Sequence, residues 1–155
     1  RHAKKNGFTH EFLMTARKIN TAMPRYTVQV LERALRTKKR KLRGSRVALL
    51  GLSYKRDIPD TRESPAVLIR DIWRKSGAKL EIFDPHVPEE STSDSLEKAL
   101  KGSDVALIAT DHSLFRSLTP EKFERHNISI VVDGRNCLRK RYFKDSAVLY
   151  RGIGR

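Results

Sequence analysis

The chain has 155 residues, 33 of them Lys or Arg against 18 Asp or Glu, for a formal net charge of +15. That length suits about one domain, and 38% hydrophobic residues argue against a disordered chain. Short apolar runs exclude a membrane-spanning helix or signal peptide, and the single Cys137 excludes a disulfide framework, fitting a cytoplasmic setting.

The charge is uneven. Residues 1–46 hold 14 Lys or Arg against Glu11 and Glu32, whereas the remainder is nearly balanced. This first segment reads as a helical arm. Phe8, Phe12, Ala16, Ile19, Met23, Tyr26, Val30 and Ala34 recur at steps of three or four, and Pro24 predicts a kink or break. The stripe has no partner within the arm, so it must dock on the following domain, on a second chain or on a further part of the protein. The run from Arg36 to Arg46 reads as a solvated basic linker. It carries no interleaved aromatic for base stacking, which argues against nucleic acid as its partner.

From Gly44 the pattern alternates strand and helix. Arg46–Leu50 is a continuous apolar strand of the kind buried in a parallel sheet. Ser64-Pro65 supplies a cap and a first-turn proline, and Gly77 a C-terminal stop, predicting a helix over 65–76. Strands follow at 79–83, 104–109, 128–132 and 147–150. Between them, Asp94 and Glu97 have capping-box spacing and Thr119-Pro120 opens another helical turn. The fold class is α/β: a Rossmann-like parallel sheet of about five strands, preceded by a long, kinked helical arm. The division falls at residue 43, with 1–43 the arm and linker and 44–155 the α/β domain.

Such a sheet binds ligands beyond the carboxyl ends of its strands, where the strand order reverses. The usual order 3-2-1-4-5 puts that crevice between strands 1 and 4. The loops leaving those strands carry Lys55 and Arg62 on one side and Arg135 on the other. Three cations around one crevice describe a site for a phosphorylated anion. The alternative is surface charge neutralised by Asp57, Asp60, Glu63 and Asp133.

A dinucleotide fingerprint is absent: strand 1 is followed by the single Gly51, and Gly152-Ile-Gly154 opens no helix. Asp84-Pro85 reads as a turn that ends strand 2. His2, His10, His86, His112 and His126 are scattered without metal-ligand spacing. Cys137 reads as a small buried hydrophobe, His112 as a loop cap or exposed imidazole, and Ile69 and Trp73 as core.

Six segments occur in order: Gly51-Leu-Ser-Tyr-Lys55, Asp60-Thr-Arg-Glu-Ser-Pro65, Phe83-Asp-Pro85, Ala109-Thr-Asp-His112 with Phe115, Asp133-Gly-Arg-Asn136 and Gly152-Ile-Gly-Arg155. Together they resemble the C-terminal domain of the UDP-glucose/GDP-mannose dehydrogenase family. The arm resembles the end of the long central helix before that domain. The resemblance implies an NAD-dependent enzyme that oxidises the C6 alcohol of a UDP-sugar to a carboxylate in two hydride transfers. It leans slightly towards UDP-N-acetylmannosamine.

By the same resemblance, Lys55 and Arg135 contact the nucleotide sugar, Tyr54 lines that pocket and Arg62 approaches NAD held by another domain. It implies a homo-oligomer through the helical arm and no membrane partner. The glycine-rich NAD domain and the nucleophilic cysteine of the family are not in this sequence. No catalytic residue and no metal ligand is therefore expected here, and the chain alone is expected to be inactive. A stand-alone basic module binding nucleic acid or another polyanion is the competing reading.

Overall fold

The computed structural model describes residues 11–154. His2, Phe8, His10 and Arg155, named above, lie outside the described residues. Helix α1 (Glu11–Thr37) leads into strand β1 (Arg46–Leu50), helix α2 (Pro65–Ser76) and strand β2 (Lys79–Phe83). Then come α3 (Leu96–Leu100), β3 (Val105–Ile108), α4 (Ser113–Arg116), α5 (Pro120–Glu124), β4 (Ile130–Asp133) and β5 (Leu149–Gly152).

Helix α2 follows from its ends. The Ser64 side chain accepts from the Ala66 amide, Pro65 opens the helix and Gly77 closes it in the left-handed region at φ 79°. For α3 the cap sits one residue beyond the expected Asp94. Ser95 accepts from the Lys98 amide, while Asp94 reaches the Lys98 ammonium.

All five strands are parallel, in the order β2-β1-β3-β4-β5. This corrects the expected 3-2-1-4-5 order. Strand β3 lies beside β1, so the crevice falls between β1 and β3. The cause is a change of face. Helix α2 packs Ala66, Ile69 and Trp73 on one side of the sheet, whereas α3 packs Ala99 and Leu100 on the other. Right-handed crossovers on opposite faces must travel in opposite directions, which carries the chain back across β1.

The pleat sorts the core into two layers. Val47, Leu49, Leu107 and Val132 face the α2 side, while Ala48, Leu50, Ile108 and Val131 face the other. Helix α1 completes the first layer by inserting Val28, Leu31, Ala34 and Leu35. The arm thus docks on the following domain. It does so on a different face from the expected stripe, for Phe12 is 82% exposed and Ile19 and Tyr26 are exposed as well. Two apolar rows converge near Ala34, and the sheet selects the row through Leu31.

The expected break at Pro24 is absent. The helix is continuous there and Pro24 is buried. One lost bond to the Asn20 carbonyl is tolerated because tertiary packing holds the helix. The basic linker is largely solvent-facing but fastened. Arg40 pairs with Asp104, Arg46 pairs with Glu81, and Leu42 is buried in the core.

Removing the Leu31 side chain leaves a cavity between α1 and the sheet. Leu31→Ala should therefore cost about 2–5 kcal/mol, read from urea unfolding. Phe12→Ala should change stability by less than about 0.5 kcal/mol.

Candidate functional site

The loops after β1, β3 and β4 meet at the carboxyl end of the sheet. Two glycines permit this. A Cβ on Gly51, whose φ is +91°, would lie 2.5 Å from the Thr110 Cβ, and one on Gly134 would lie 2.8 Å from the Ile108 carbonyl oxygen. Both flanking loops therefore press against the end of β3. The Thr110 hydroxyl adds a bond to the Ser53 carbonyl at 2.6 Å.

A buried carboxylate holds the next layer. Asp84, at the end of β2, accepts through one oxygen from the Leu52 amide at 2.7 Å, the Ser53 amide at 2.8 Å and the Ser53 hydroxyl at 2.9 Å. His112 Nε2 lies 3.0 Å from that oxygen, and the His86 amide donates to the other at 2.8 Å. Burial alone would push the Asp84 carboxyl up, but the bonds from His112 and the amides hold it well below the usual carboxylate range. Asp84 does more than end a strand.

His112 holds the expected cap position, at the start of α4, without a side-chain capping bond, but its imidazole is fully buried and not exposed. The Asp57 amide donates to its Nδ1 at 2.9 Å, which leaves the ring proton on Nε2 for Asp84. The histidines are less scattered than their spacing implies, because Asp57, His86 and His112 gather within 4.8 Å. Both His112 nitrogens are already committed to hydrogen bonds, so His112 itself offers a metal no free nitrogen. Asp57 accepts from the Ser113 hydroxyl and amide, and these bonds hold its carboxyl down at about 2.

Beside this layer lies a cleft of about 660 Å³, walled by Tyr54, Lys55 and Arg135 and by Arg17, Asn20 and Met23 of α1. The expected Lys55 and Arg135 are thus brought to one cavity, together with Tyr54. Lys55 Nζ stands 5.9 Å from the Tyr54 ring centroid and, among the described residues, has no carboxylate partner. Arg62 lines a separate hollow that shares Tyr54 and Lys55. Its guanidinium is 87% exposed and grips Asp60 through Nε at 2.9 Å and Nη2 at 2.8 Å.

Of the acids that could have neutralised the crevice, Asp60 does so for Arg62. Asp133 instead accepts from the amides of Arg135, Cys137 and Leu138 and from the Tyr150 hydroxyl. Cys137 is half-buried, and burial with the nearby Asp133 and Asp111 pushes its thiol up to about 12. It stays protonated at neutral pH.

A family model described as the UDP-glucose/GDP-mannose dehydrogenase family, UDP binding domain, matches residues 48–140. The chain belongs to this family. It is 40% identical to UDP-N-acetyl-D-mannosamine dehydrogenase of Pyrococcus horikoshii over 143 residues, covering 90% of this chain and 32% of that protein. UDP-glucose 6-dehydrogenase of Haloferax volcanii is 31% identical over 147 residues, 90% of this chain and 33% of that protein. The solved UDP-D-ManNAc dehydrogenase structure from P. horikoshii superposes with a TM-score of 0.88 at 35% identity, over 99% of this chain and 36% of the other. The NDP-N-acetyl-D-galactosaminuronic acid dehydrogenase from Methanosarcina mazei Go1 gives 0.87 at 30% identity, over 96% and 32%. The chain spans about a third of the length of these relatives.

Within this family domain, the Asp84 bonds decide what the β1 loop can hold. In a dinucleotide site the amides after strand 1 would face a pyrophosphate. Here the Leu52 and Ser53 amides are spent on an internal carboxylate. The loop does not fit NAD in that manner. Those two amides are therefore not free to meet an anion.

Sequence reasoning missed Asp84, Arg56 and Asp111. Arg56 donates from Nε to both the Asp111 carbonyl and its Oδ2 at 3.0 Å, and Arg135 Nε lies 3.3 Å from Oδ1. The Phe83-Asp-Pro85 and Ala109-Thr-Asp-His112 segments were the available signals, as polar residues directly after buried strands.

Asp84 binds its proton more weakly folded than unfolded. Its stabilisation is complete above pH about 4 and drains as pH falls below that value. Asp84→Asn should lower stability at pH 7 by about 1–3 kcal/mol for each donor left unsatisfied. Urea unfolding between pH 7 and pH 3 should also show a shallower acid slope than wild type.

Proposed function

We propose that this chain is the nucleotide-sugar-binding domain of an NAD-dependent UDP-sugar 6-dehydrogenase. Its substrate in that role is UDP-N-acetylmannosamine or a related UDP-sugar, whose C6 alcohol is oxidised to a carboxylate. The observation that carries this reading is Lys55 and Arg135 on one cleft, beside a β1 loop whose Leu52 and Ser53 amides are used internally. Lys55 acts as a compact charge and Arg135 as a planar donor fork for the diphosphate, and Tyr54 supplies an apolar wall. Proximity to the Pyrococcus relative supports the choice of sugar.

Arg62 lines the adjoining hollow and serves NAD held by a separate domain. Hydride transfer and the covalent cysteine step fall outside these 155 residues, so the isolated chain binds UDP and reduces no NAD. Residues 1–43 act as the end of the central helical segment with its linker, and residues 44–155 as the UDP-sugar-binding unit. The exposed row of α1 through Phe12 and Ile19 is the surface through which the arm would join a homo-oligomer.

Titration calorimetry with UDP tests the site. Lys55→Ala and Arg135→Ala should each weaken binding by about 1.5–3 kcal/mol, the value of a charged hydrogen bond. Lys140→Ala removes one positive charge from a different cavity and should leave UDP affinity unchanged. Equal UDP affinity in wild type and a Lys55→Ala/Arg135→Ala double variant would overturn the assignment. Binding of duplex DNA that survives that double variant would favour the polyanion reading instead.

A further inference from the structure

We infer that Asp111 and Arg56 are positioning residues for the anion site, dividing one carboxylate between them so that Arg135 keeps its terminal nitrogens for phosphate. The inference rests on the reading that Lys55 and Arg135 hold the diphosphate. It concerns two residues that touch no ligand in that reading.

The arrangement spans the three loops of the crevice. Arg56 follows Lys55 in the β1 loop, Asp111 sits in the β3 loop and Arg135 in the β4 loop. The Asp111 side chain is only 13% exposed. Its Oδ2 accepts from Arg56 Nε at 3.0 Å and also from Arg56 Nη2, while the same Nε reaches the Asp111 carbonyl at 3.0 Å. Oδ1 is left for Arg135, which meets it through Nε alone at 3.3 Å. Among the described residues the two terminal nitrogens of Arg135 have no protein partner.

A carboxylate facing an arginine by itself tends to take two parallel bonds from the guanidinium fork. Arg56 prevents this by saturating one oxygen. Arg135 is thereby tethered at one nitrogen and keeps the remainder of its fork. The Arg56–Asp111 pair is also close to neutral, so the acid beside the site does not cancel the charge of Lys55 and Arg135. Because Arg56 is adjacent to Lys55, the same ion pair fixes the spacing between the β1 loop and the β3 loop.

Charge alone and positioning make opposite predictions for Asp111. Deleting a negative charge beside an anion site should tighten binding if only Coulomb attraction matters. Positioning requires that it weaken. The test measures UDP by calorimetry and uridine by chemical-shift titration on the 155-residue chain and its Asp111→Asn and Arg56→Lys variants. Each variant should weaken UDP about tenfold, the lower end for one charged hydrogen bond, with uridine affinity unchanged. Arg56→Lys keeps the charge but loses the fork, so its failure to rescue binding separates geometry from charge.

A general folding defect would instead lower uridine affinity and the urea midpoint together, and would overturn the inference. Tighter or unchanged UDP binding by Asp111→Asn would also overturn it, as would wild-type affinity in Arg56→Lys. If Arg135→Ala itself binds UDP as wild type does, the diphosphate reading fails first and this inference with it.

Discussion

Asp84 is a buried negative charge, and the site is arranged around keeping it satisfied. An uncompensated carboxylate in a protein interior is costly enough that it would be neutralised or expelled. Here it is retained by two amides of the β1 loop, a serine hydroxyl, the amide of His86 and the ring of a fully buried histidine. These partners come from three separate strand ends. A single group therefore fixes the mutual position of the loops after β1, β2 and β3. It also removes from service the backbone donors that a nucleotide-binding sheet ordinarily presents to phosphate. In the proposed reading, anion recognition falls to Lys55 and Arg135, which line one cleft and start from loops that Asp84, Gly51 and Gly134 place.

The arm belongs to this account as well. Its C-terminal half covers the sheet face that α2 leaves open, and its middle supplies one wall of the cleft through Arg17, Asn20 and Met23. The large positive excess of the first 46 residues is thus not a separate function by default. Part of it is bound into the fold through Arg40 and Arg46, and Arg17 stands at the cleft. Net charge alone does not tell which cations line the cleft; position does.

What could be read from the residues was local, and what could not was long-range. Helix α2 was legible because Ser64, Pro65 and Gly77 carry their conformations in their own chemistry. The buried strands were legible as apolar runs. The strand order was not, because it depends on which face α3 packs against, and five residues of helix carry no statement of that. The buried row of α1 was misassigned for a related reason. Phe12, Ile19 and Tyr26 form as good a periodic row as Val28, Leu31 and Leu35, and only the sheet distinguishes them. That Lys55 and Arg135 would share one cleft was legible because unusual residues at strand ends are visible in one dimension. Asp84, Asp111 and Arg56 were missed because their roles lie mainly in partners 24 to 55 residues away.

The corrected strand order has a chemical consequence. Had β1 and β4 been neighbours, the loops bearing Lys55 and Arg135 would have met directly, at one strand spacing of about 4.8 Å. With β3 between them, the two loops start about 10 Å apart, and the β3 loop stands in the gap. That intermediate position is where Asp111 sits, able to reach Arg56 on one side and Arg135 on the other. Two cations held farther apart suit an extended dianion better than a single phosphate. The Asp111 carboxylate lies between Arg56 and Arg135 and pairs with both. A 2-1-3-4-5 sheet thus yields a wider, internally braced crevice between these loops than the order expected from sequence would have produced.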